Sequence, residues 1–255
     1  MVGFSEAQIM AWLSPILWPF IRILAIFTAA PVLSSRSVPM RVKVGLAFLV
    51  AVSVQAALPN MPVISLNSPE LFGVVLQQVG VGLAIGFAVR LVFSAFEFAG
   101  ELIGTLMGLN FASFFDPTLN TQSTATSRFY IYMASLLFVV LNGHMMLMMA
   151  VVRSFEAFPV DQNFMRVLEV VQLYKLGGEL FASALWIALP VLGMLMFTNL
   201  AMGIVARVAP QVNIFTIGFP LTLIVGMLGM AATVPMLDRP YMALMQRTVD
   251  LFATR

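Results

Sequence analysis

Long stretches of apolar residues without a charged side chain fill most of the chain, and short polar segments separate them. A helix needs about 20 mostly apolar residues to cross the hydrocarbon core of a bilayer. Five stretches carry no charged residue: Val44–Pro69, Leu71–Val89, Phe129–Val152, Leu180–Ala206 and Val208–Leu237. A sixth apolar stretch, Trp12–Ala30, contains Arg22 as its only charged residue. The pattern predicts six long helices, at about 12–30, 44–58, 72–96, 129–152, 180–206 and 212–237.

Proline residues interrupt several of the predicted helices. Pro59 and Pro62 are expected to end the second helix, because the residue before a proline disfavours the helical conformation. Pro190 lies within the fifth helix, and three more prolines punctuate the sixth: Pro210, Pro220 and Pro235. At membrane depth a proline is tolerated where neighbouring groups satisfy the freed backbone. Kinked or broken helices are therefore predicted.

The composition assigns this pattern to a membrane protein. Apolar residues make up 61% of the 255 residues and charged residues 9%, whereas about 25% of the residues in soluble domains are charged. With 13 basic and 11 acidic side chains, the chain cannot cover a soluble globule with charge. An ordinary cytoplasmic enzyme and a disordered chain are both excluded. The net charge of +2 gives no support to nucleic-acid binding.

The positive charges do not select an orientation in the membrane. If all six helices span, the side that holds both termini collects six Lys and Arg residues and the other side five. The nearly equal numbers of positive charges on the two sides have two explanations. Either one of the segments does not span the membrane, or the helices pack against protein partners and their orientation does not follow from the charges of the loops.

The sequence offers no arrangement for bond chemistry. It has no cysteine and a single histidine, His144, so a multi-histidine metal site and thiol chemistry are excluded. The HExxH, GxSxG and Walker-type motifs are absent from the sequence. We therefore expect a protein that is not an enzyme and that binds no cofactor and no metal.

Small residues recur every four positions in the middle of the chain, at Gly100, Gly104, Gly108 and Ala112. On a helix they form one stripe, which lets a second backbone approach closely. The stripe predicts helix packing either within this chain or against another subunit.

Arg90, Glu97 and Glu101 share one face of the same predicted helical stretch, because they are separated by seven and four positions. Ionisable groups in an apolar bundle are costly unless they pair or line water. This polar cluster is predicted to be a structural ion cluster near a helix end, a polar lining, or a proton relay.

The segment between residues 109 and 127 is a poor helix. Phe111, Phe114 and Phe115 precede Asp116–Pro117, and the ten residues that follow are uncharged and rich in hydroxyl and amide groups. Irregular backbone among membrane helices survives where protein buries it or where it lines a cavity. Two interpretations stay open: a loop that plugs a pore with its aromatic side chains, and an extramembrane loop that interfacial aromatics anchor.

Several short segments, taken together and in order, resemble the FliR family of flagellar biosynthetic proteins and its injectisome counterparts in the type III secretion export apparatus. Each segment is weak alone, but their order over most of the chain is specific. They are Ala30–Arg36, Val38–Pro39, Ala84–Phe87, Ala99–Gly104, Met107–Gly108, Asp116–Pro117, Asn142–His144, Ser154–Pro159, Ala188–Pro190, Gly203–Asn213 and Gly218–Pro220. The pattern favours a flagellar member over an injectisome one.

The resemblance implies an all-α fold of membrane-associated helical hairpins with broken helices, wound into a hetero-oligomeric export gate. The chain would form a single export-gate domain over residues 1–255, in which 1–172 resemble FliP and 173–255 resemble FliQ. One copy would complete a ring with FliP and FliQ in the bacterial inner membrane, at the flagellar basal body. FlhB, FlhA, unfolded export substrates and membrane lipid would be its other partners.

The resemblance also implies roles for particular residues. The family has a plug in its central channel, and the matching residues are Phe111, Phe114, Phe115, Asp116 and Pro117. Within the late segment, Gly203–Asn213, Arg207 and Asn213 would stabilise a bend near Pro210. The expected function is that of a non-enzymatic subunit of the protein export gate. The alternative is a secondary transporter of a small solute, with the polar cluster as a midplane site, although no matching pair of interrupted segments indicates the inverted repeat of such transporters.

Overall fold

The computed structural model describes residues 6–35, 37–58, 61–65, 67–110, 123–161, 173–209 and 214–252. All regular structure within these ranges is helical, which confirms the predicted all-α class with broken helices. Two 3-10 turns, Gln55–Ala57 and Val234–Met236, follow the third and eighth helices. The helices are α1 (Glu6–Ala29), α2 (Pro31–Ser34), α3 (Met40–Val54), α4 (Glu70–Leu106), α5 (Ala125–Val140), α6 (Gly143–Ala157), α7 (Leu173–Val208), α8 (Ile214–Thr233) and α9 (Asp238–Leu251).

Five helices in the described ranges are long and apolar enough to cross a membrane, and the bent pair α5 and α6 provides a sixth if it forms one span. The five segments are Gln8–Ala29, Met40–Ala57, Glu70–Leu106, Leu176–Val208 and Thr216–Met236. Five of the six helices predicted from hydropathy correspond to these five segments, with different bounds, and the sixth, at 129–152, corresponds to the bent pair. Three of the prolines that were expected to interrupt helices lie within or beside them. Pro190 is inside α7, Pro220 is inside α8 and Pro235 is in the 3-10 turn after α8.

Helix α4 is longer than predicted. The prediction ended it at about residue 96, before the two glutamates, whereas the helix continues to Leu106. Its apolar face persists past the charged residues, since Phe96, Ala99 and Ile103 are fully buried. The glutamates lie elsewhere on the same helix and are only partly buried. A charged residue therefore did not mark the helix end here.

The predicted helix at 129–152 is two helices. Helix α5 begins at Ala125, earlier than predicted, and ends at Val140, and α6 runs from Gly143 to Ala157. Between them Asn142 adopts the left-handed conformation, with φ of 55°. Asparagine is one of the few non-glycine residues that tolerates this region. The hydropathy pattern missed the break because residues 129–152, which include the turn, form one apolar stretch without a charged residue.

Helix α9 was not predicted, because its sequence carries several charged residues and its mean hydropathy is low. The helix is nevertheless amphipathic. Tyr241, Met245 and Val249 recur every four positions and are buried, and Phe252 follows them into the core. This spacing indicates an amphipathic helix, although its charged residues exclude a membrane span.

Packing divides the chain into two compact units, one of residues 1–91, 142–176 and 244–255 and the other of residues 92–141 and 177–243. In the first unit, α1 packs on α3, where the rings of Phe20 and Phe48 meet edge to face with centroids 6.4 Å apart. In the second unit, the Thr222 hydroxyl on α8 donates to the carbonyl of Met107, just past α4, at 3.3 Å. The units interleave along the sequence, and the FliP-like and FliQ-like halves stay a prediction.

Candidate functional site

The predicted site residues divide into those that the structure describes and those that lie outside the described ranges. All five predicted plug residues, Phe111, Phe114, Phe115, Asp116 and Pro117, lie outside them, and so do Pro210 and Asn213 of the late segment. Arg207 lies in the last turn of α7 and is exposed. The described candidates are the glycines and the polar cluster of α4.

Two upstream glycines bring α4 close to α1. A Cβ atom added to Gly86 would lie 2.6 Å from the Cβ of Ala29, and one added to Gly82 would overlap the backbone carbonyl oxygen of Arg22. Neither neighbour is the free end of a flexible side chain. The two helices therefore approach within a distance that only glycine permits at these positions.

Gly100 and Gly104 make the same kind of approach to the beginning of α5. A Cβ atom on Gly100 would lie 2.7 Å from the Cα of Ser127 and 2.7 Å from the carbonyl oxygen of Thr126. A Cβ atom on Gly104 would overlap the Thr126 hydroxyl oxygen. At these two positions the stripe packs against a helix of the same chain.

Gly108 has a different local role from the other glycines of the stripe. It lies two residues after the end of α4 and has a φ of 80°, in the left-handed region that favours glycine. A Cβ atom here would lie 3.3 Å from the Phe219 ring. Gly108 therefore terminates the helix, and the regular spacing of the stripe conceals a change of backbone conformation.

The polar cluster separates into residues with different surroundings. Arg90 is exposed, whereas Glu97 and Glu101 are half-buried. Glu97 accepts one long hydrogen bond, 3.4 Å from the Ser123 hydroxyl. Glu101 accepts several shorter ones and is the better organised of the two carboxylates.

The Glu101 carboxylate binds three side chains from two parts of the chain, and these four residues form the Glu101 cluster. Its Oε1 accepts from the amide Nδ2 of Asn110 at 3.1 Å. Its Oε2 accepts from the hydroxyls of Thr124 at 3.0 Å and Ser127 at 2.7 Å. All three partners donate to the carboxylate, as an ionised, acceptor-only side chain requires.

The same threonine caps α5. Thr124 is the N-cap residue, and its Oγ1 accepts from the backbone N–H of Ser127 at 3.2 Å. Its oxygen is also 3.0 Å from the Thr126 hydroxyl. A capping threonine satisfies a backbone N–H that the helix itself leaves unbonded. The cluster thus joins the C-terminal part of α4 to the cap of α5.

Sequence reasoning missed a second polar cluster, centred on Arg22 of α1. This side chain is completely buried in the first unit. Its three nitrogens donate to the Gln78 side-chain oxygen, the Ser154 hydroxyl and the Phe158 carbonyl, each at 2.9 Å. The guanidinium carbon also lies 3.5 Å from the centre of the Phe155 ring, a cation–π contact.

The Arg22 cluster continues through two glutamines of α4. The Gln78 amide donates to the Gln77 side-chain oxygen at 2.7 Å, and the Gln77 amide donates to the Pro159 carbonyl at 2.9 Å and to an Asp161 carboxylate oxygen at 2.5 Å. The cluster therefore ties α1, α4 and the end of α6 together. The lone arginine in an apolar stretch was the signal, but nothing in the spacing pointed to its distant partners.

The described residues show no arrangement for holding a metal ion: among them, no three His, Asp or Glu side chains come together for coordination. Both clusters bind helices to one another through side chains that already engage each other.

Comparison with known proteins gives consistent matches along the chain. The sequence model of a family described as "Bacterial export proteins, family 1" matches residues 13–248. A protein of Escherichia coli (strain K12) named "Flagellar biosynthetic protein FliR" is 39% identical over 239 residues, covering 93% of this chain and 90% of the relative.

Two further relatives carry the same name. The protein of Pectobacterium carotovorum subsp. carotovorum is 37% identical over 258 residues, covering 99% of this chain and 97% of the relative. The protein of Bacillus subtilis (strain 168) is 32% identical over 209 residues, covering 81% and 80%. The chain is thus similar to these three relatives over 81–99% of its length.

Proposed function

The chain belongs to the bacterial export proteins, family 1, and from this membership we propose that it is a subunit of the flagellar protein export gate. The observation that carries the proposal is the match over residues 13–248, together with relatives named as flagellar biosynthetic proteins. In this proposal the chain forms, with FliP and FliQ, the channel that passes unfolded flagellar proteins across the inner membrane. It performs no bond chemistry, and both polar clusters serve to position helices.

The exposed apolar surface of the chain supports a membrane-embedded subunit with protein neighbours. The most apolar windows of α7 and α8 are only 33% and 28% buried, against 61% in α4. Trp186, Phe197 and Val208 are each at least 74% exposed on α7. An apolar helix with this much free surface needs lipid or another subunit to cover it. FliP and FliQ, with lipid, are the proposed cover, and FlhB and FlhA are proposed to bind the assembled gate.

The plug is a further part of the proposal. Phe111, Phe114 and Phe115, followed by Asp116 and Pro117, would supply bulk that closes the channel at rest. The described residues on either side favour this role, because Asn110 and Thr124 are both bonded to Glu101 and so anchor the ends of the intervening segment.

We propose that the late segment, Gly203–Asn213, forms a bend near Pro210 that Arg207 and Asn213 stabilise. Arg207 lies in the last turn of α7, where a cation interacts favourably with the unpaired carbonyls of the helix end. Pro210 and Asn213 would complete the bend, since α8 begins at Ile214.

An export assay in cells tests the proposed function. Cells that lack their own member of this family are given the chain together with FliP-like and FliQ-like subunits from the same bacterium. Secretion of flagellar proteins into the medium should be restored. Secretion that stays absent although the chain reaches the membrane and binds those subunits would contradict the proposal.

A leakage assay tests the plug separately. Replacing Phe111, Phe114 and Phe115 together by Ala should raise ion leakage through the assembled gate in liposomes, because the closing bulk is lost. Leakage at the level of the unchanged gate, with normal assembly, would remove the plug from the account and leave the subunit role intact.

A further inference from the structure

We propose that α3 is a lipid-facing helix whose Arg41 and Lys43 bind the headgroup of an anionic phospholipid, while its exposed apolar side chains contact the acyl chains. The occupant of this helix face is a membrane lipid rather than another subunit. This binding role does not depend on the proposed function, because it concerns the contact of the chain with the membrane in any assembly.

Helix α3 is the least covered of the five candidate spans. Only 11% of its most apolar window is buried, against 28% or more in the other four. Its buried residues are Ala47 and Ala51, which form one narrow line along the helix. Large apolar side chains are exposed around most of the remaining circumference: Met40, Val42, Val44, Leu46, Phe48, Leu49 and Val52. Acyl chains can cover so broad a surface, whereas one partner helix would cover a single side.

Helix α3 also lacks the features by which membrane helices bind one another. Such helices associate through small residues that permit close approach and through polar side chains that hydrogen-bond across the contact. Ser53 uses its hydroxyl within the helix, where it donates to the carbonyl of Leu49 at 2.8 Å. Gly45 is the single glycine of α3, and a Cβ atom added there would meet nothing within 4 Å. The exposed surface of α3 therefore fits lipid better than a second helix.

Arg41 and Lys43 place two positive charges at the beginning of α3. Within the described ranges neither side chain has a hydrogen-bonding or ionic partner, and the sequence contains no acidic residue between Glu6 and Glu70. The beginning of a helix carries a positive partial charge, and α3 has no acidic residue in its first turn and no side-chain cap. An anion from outside the chain would relieve this repulsion, and the end of a membrane helix meets the phosphates of the lipid headgroups.

The dimensions of the α1–α3 pair agree with those of a bilayer. The 18 residues of Met40–Ala57 extend over about 27 Å, close to the hydrocarbon thickness of about 30 Å. The helices run in opposite directions and are aligned by the contact of Phe20 with Phe48. Trp12 lies eight residues before Phe20, level with the 3-10 turn that follows α3 and contacts α1. Trp12 is 76% exposed, so the pair has an interfacial aromatic residue at the end opposite Arg41.

Native mass measurement with added lipid tests the binding. The full chain is studied in neutral detergent, both alone and co-assembled with its FliP-like and FliQ-like partners. The probes are phosphatidylglycerol, which is anionic, phosphatidylcholine, which is zwitterionic, and inorganic phosphate. We expect several-fold tighter binding of phosphatidylglycerol than of phosphatidylcholine in both samples. Inorganic phosphate should not compete, because it lacks the acyl chains that contact α3.

Charge variants identify the residues that bind the headgroup. Arg41→Gln combined with Lys43→Gln should abolish the preference for phosphatidylglycerol, whereas Arg41→Lys combined with Lys43→Arg should retain it. Arg239→Gln combined with Arg247→Gln is the control for loss of two exposed cations on α9, each of which has an aspartate within three positions. In detergent without lipid, the first variant should unfold at or above the midpoint of the original chain, because its cations only repel the beginning of the helix. This readout separates lost binding from lost folding.

A bulky substitution at Gly45 distinguishes lipid from a partner helix. Acyl chains can make room for a leucine, whereas a closely packed helix cannot. Gly45→Leu should therefore leave both the lipid preference and co-purification with the FliP-like and FliQ-like subunits unchanged. Loss of co-purification in this variant would overturn the proposal and assign the surface of α3 to a subunit.

Three results with lipid would also overturn the proposal: equal binding of the two lipids, a preference that survives the double glutamine variant, and a preference that disappears in the assembled gate. If the double glutamine variant does not fold, the salt dependence of the original chain decides. The preference must weaken as ionic strength rises, and a preference insensitive to salt overturns the proposal. If the chain binds no FliP-like or FliQ-like subunit at all, the proposed function fails, and the measurement on the chain alone still decides the lipid site.

Discussion

At the scale of single residues, the most consequential side chain is Arg22. A guanidinium in an apolar core is costly unless its donors are satisfied, and here three nitrogens bind three acceptors while the plane contacts the Phe155 ring. The acceptors come from α4, from α6 and from the residue that follows α6. A single side chain thus determines how three parts of the first unit meet.

Removing Arg22 should strongly destabilise the chain. Arg22→Ala would leave Gln78, Ser154 and the Phe158 carbonyl buried without their donor, and we expect the free energy of unfolding to fall by about 3–5 kcal/mol. Arg22→Lys should recover only part of the loss, because an ammonium cannot reproduce the planar fork. Thermal unfolding in detergent measures both, with Arg41→Ala at an exposed position as the control. A midpoint as high as that of the control would contradict this role.

Tyr241 of α9 gives a prediction about alkaline pH. Its hydroxyl is buried and finds no hydrogen-bond partner within the described residues, and this burial raises the pKa of the phenol. Because the folded state holds the proton more tightly than the unfolded chain, whose tyrosine pKa is about 10, the stabilising contribution is complete below pH 10 and is lost as the pH rises above it.

Tyr241→Phe should therefore keep more of its stability above about pH 10 than the original chain does. At neutral pH it should be equally or slightly more stable, since an unpaired buried hydroxyl is removed. Unfolding midpoints measured between neutral and alkaline pH check this, with the exposed Tyr132→Phe as the control. Parallel curves for Tyr241→Phe and the original chain would be the contrary result.

At the scale of elements, hydropathy found every long helix but not their bounds. The apolar stretches specified α1, α3, α4, α7 and α8 because lipid-spanning helices are defined by composition over a length. The end of α4 and the break at Asn142 depend on local backbone and side-chain contacts, which composition does not carry. The glycine spacing, in contrast, did point to a close contact, because a missing Cβ is a local property with a direct steric consequence.

Replacing glycine by alanine is expected to change stability in opposite directions at two positions of the described helices. Gly100→Ala should destabilise the chain, because the added methyl group would meet the backbone of Thr126 and Ser127. Gly193→Ala on α7 meets nothing within 4 Å and should stabilise the purified chain by up to about 1 kcal/mol, as alanine favours helix. Thermal unfolding of the two variants side by side measures the signs. Equal shifts would show that the α4–α5 contact is looser than described.

The break between α5 and α6 can be tested at Asn142. Asn142 has a left-handed backbone conformation. This conformation costs about 1–2 kcal/mol for a residue with a Cβ atom, and glycine avoids that cost. Asn142→Gly should leave stability nearly unchanged, and Asn142→Val should lower the unfolding midpoint clearly. If valine were tolerated as well as glycine, a continuous helix through this position would be favoured over the observed break.

At the scale of the whole molecule, the apolar residues fall into two groups, buried and exposed. Part of it forms the cores of the two units, around residues such as Trp18, Phe27 and Phe96. A large remainder lies exposed on α3, α7 and α8. The resemblance to the FliR family is confirmed, and in the proposed gate this remainder would be the surface that partner subunits and lipid cover. The composition could predict the membrane, whereas the proposed partners follow only from the family.

The central claim is that this chain works as one subunit of a larger export gate, and native mass measurement after mild detergent extraction tests it most directly. The chain is co-expressed with the FliP-like and FliQ-like subunits of its own bacterium and purified through a tag on itself. The account predicts a single hetero-oligomer that contains one copy of this 27.9 kDa chain and several copies of both partners. A lone chain, or a small homo-oligomer that carries neither partner, would contradict it and favour a secondary transporter.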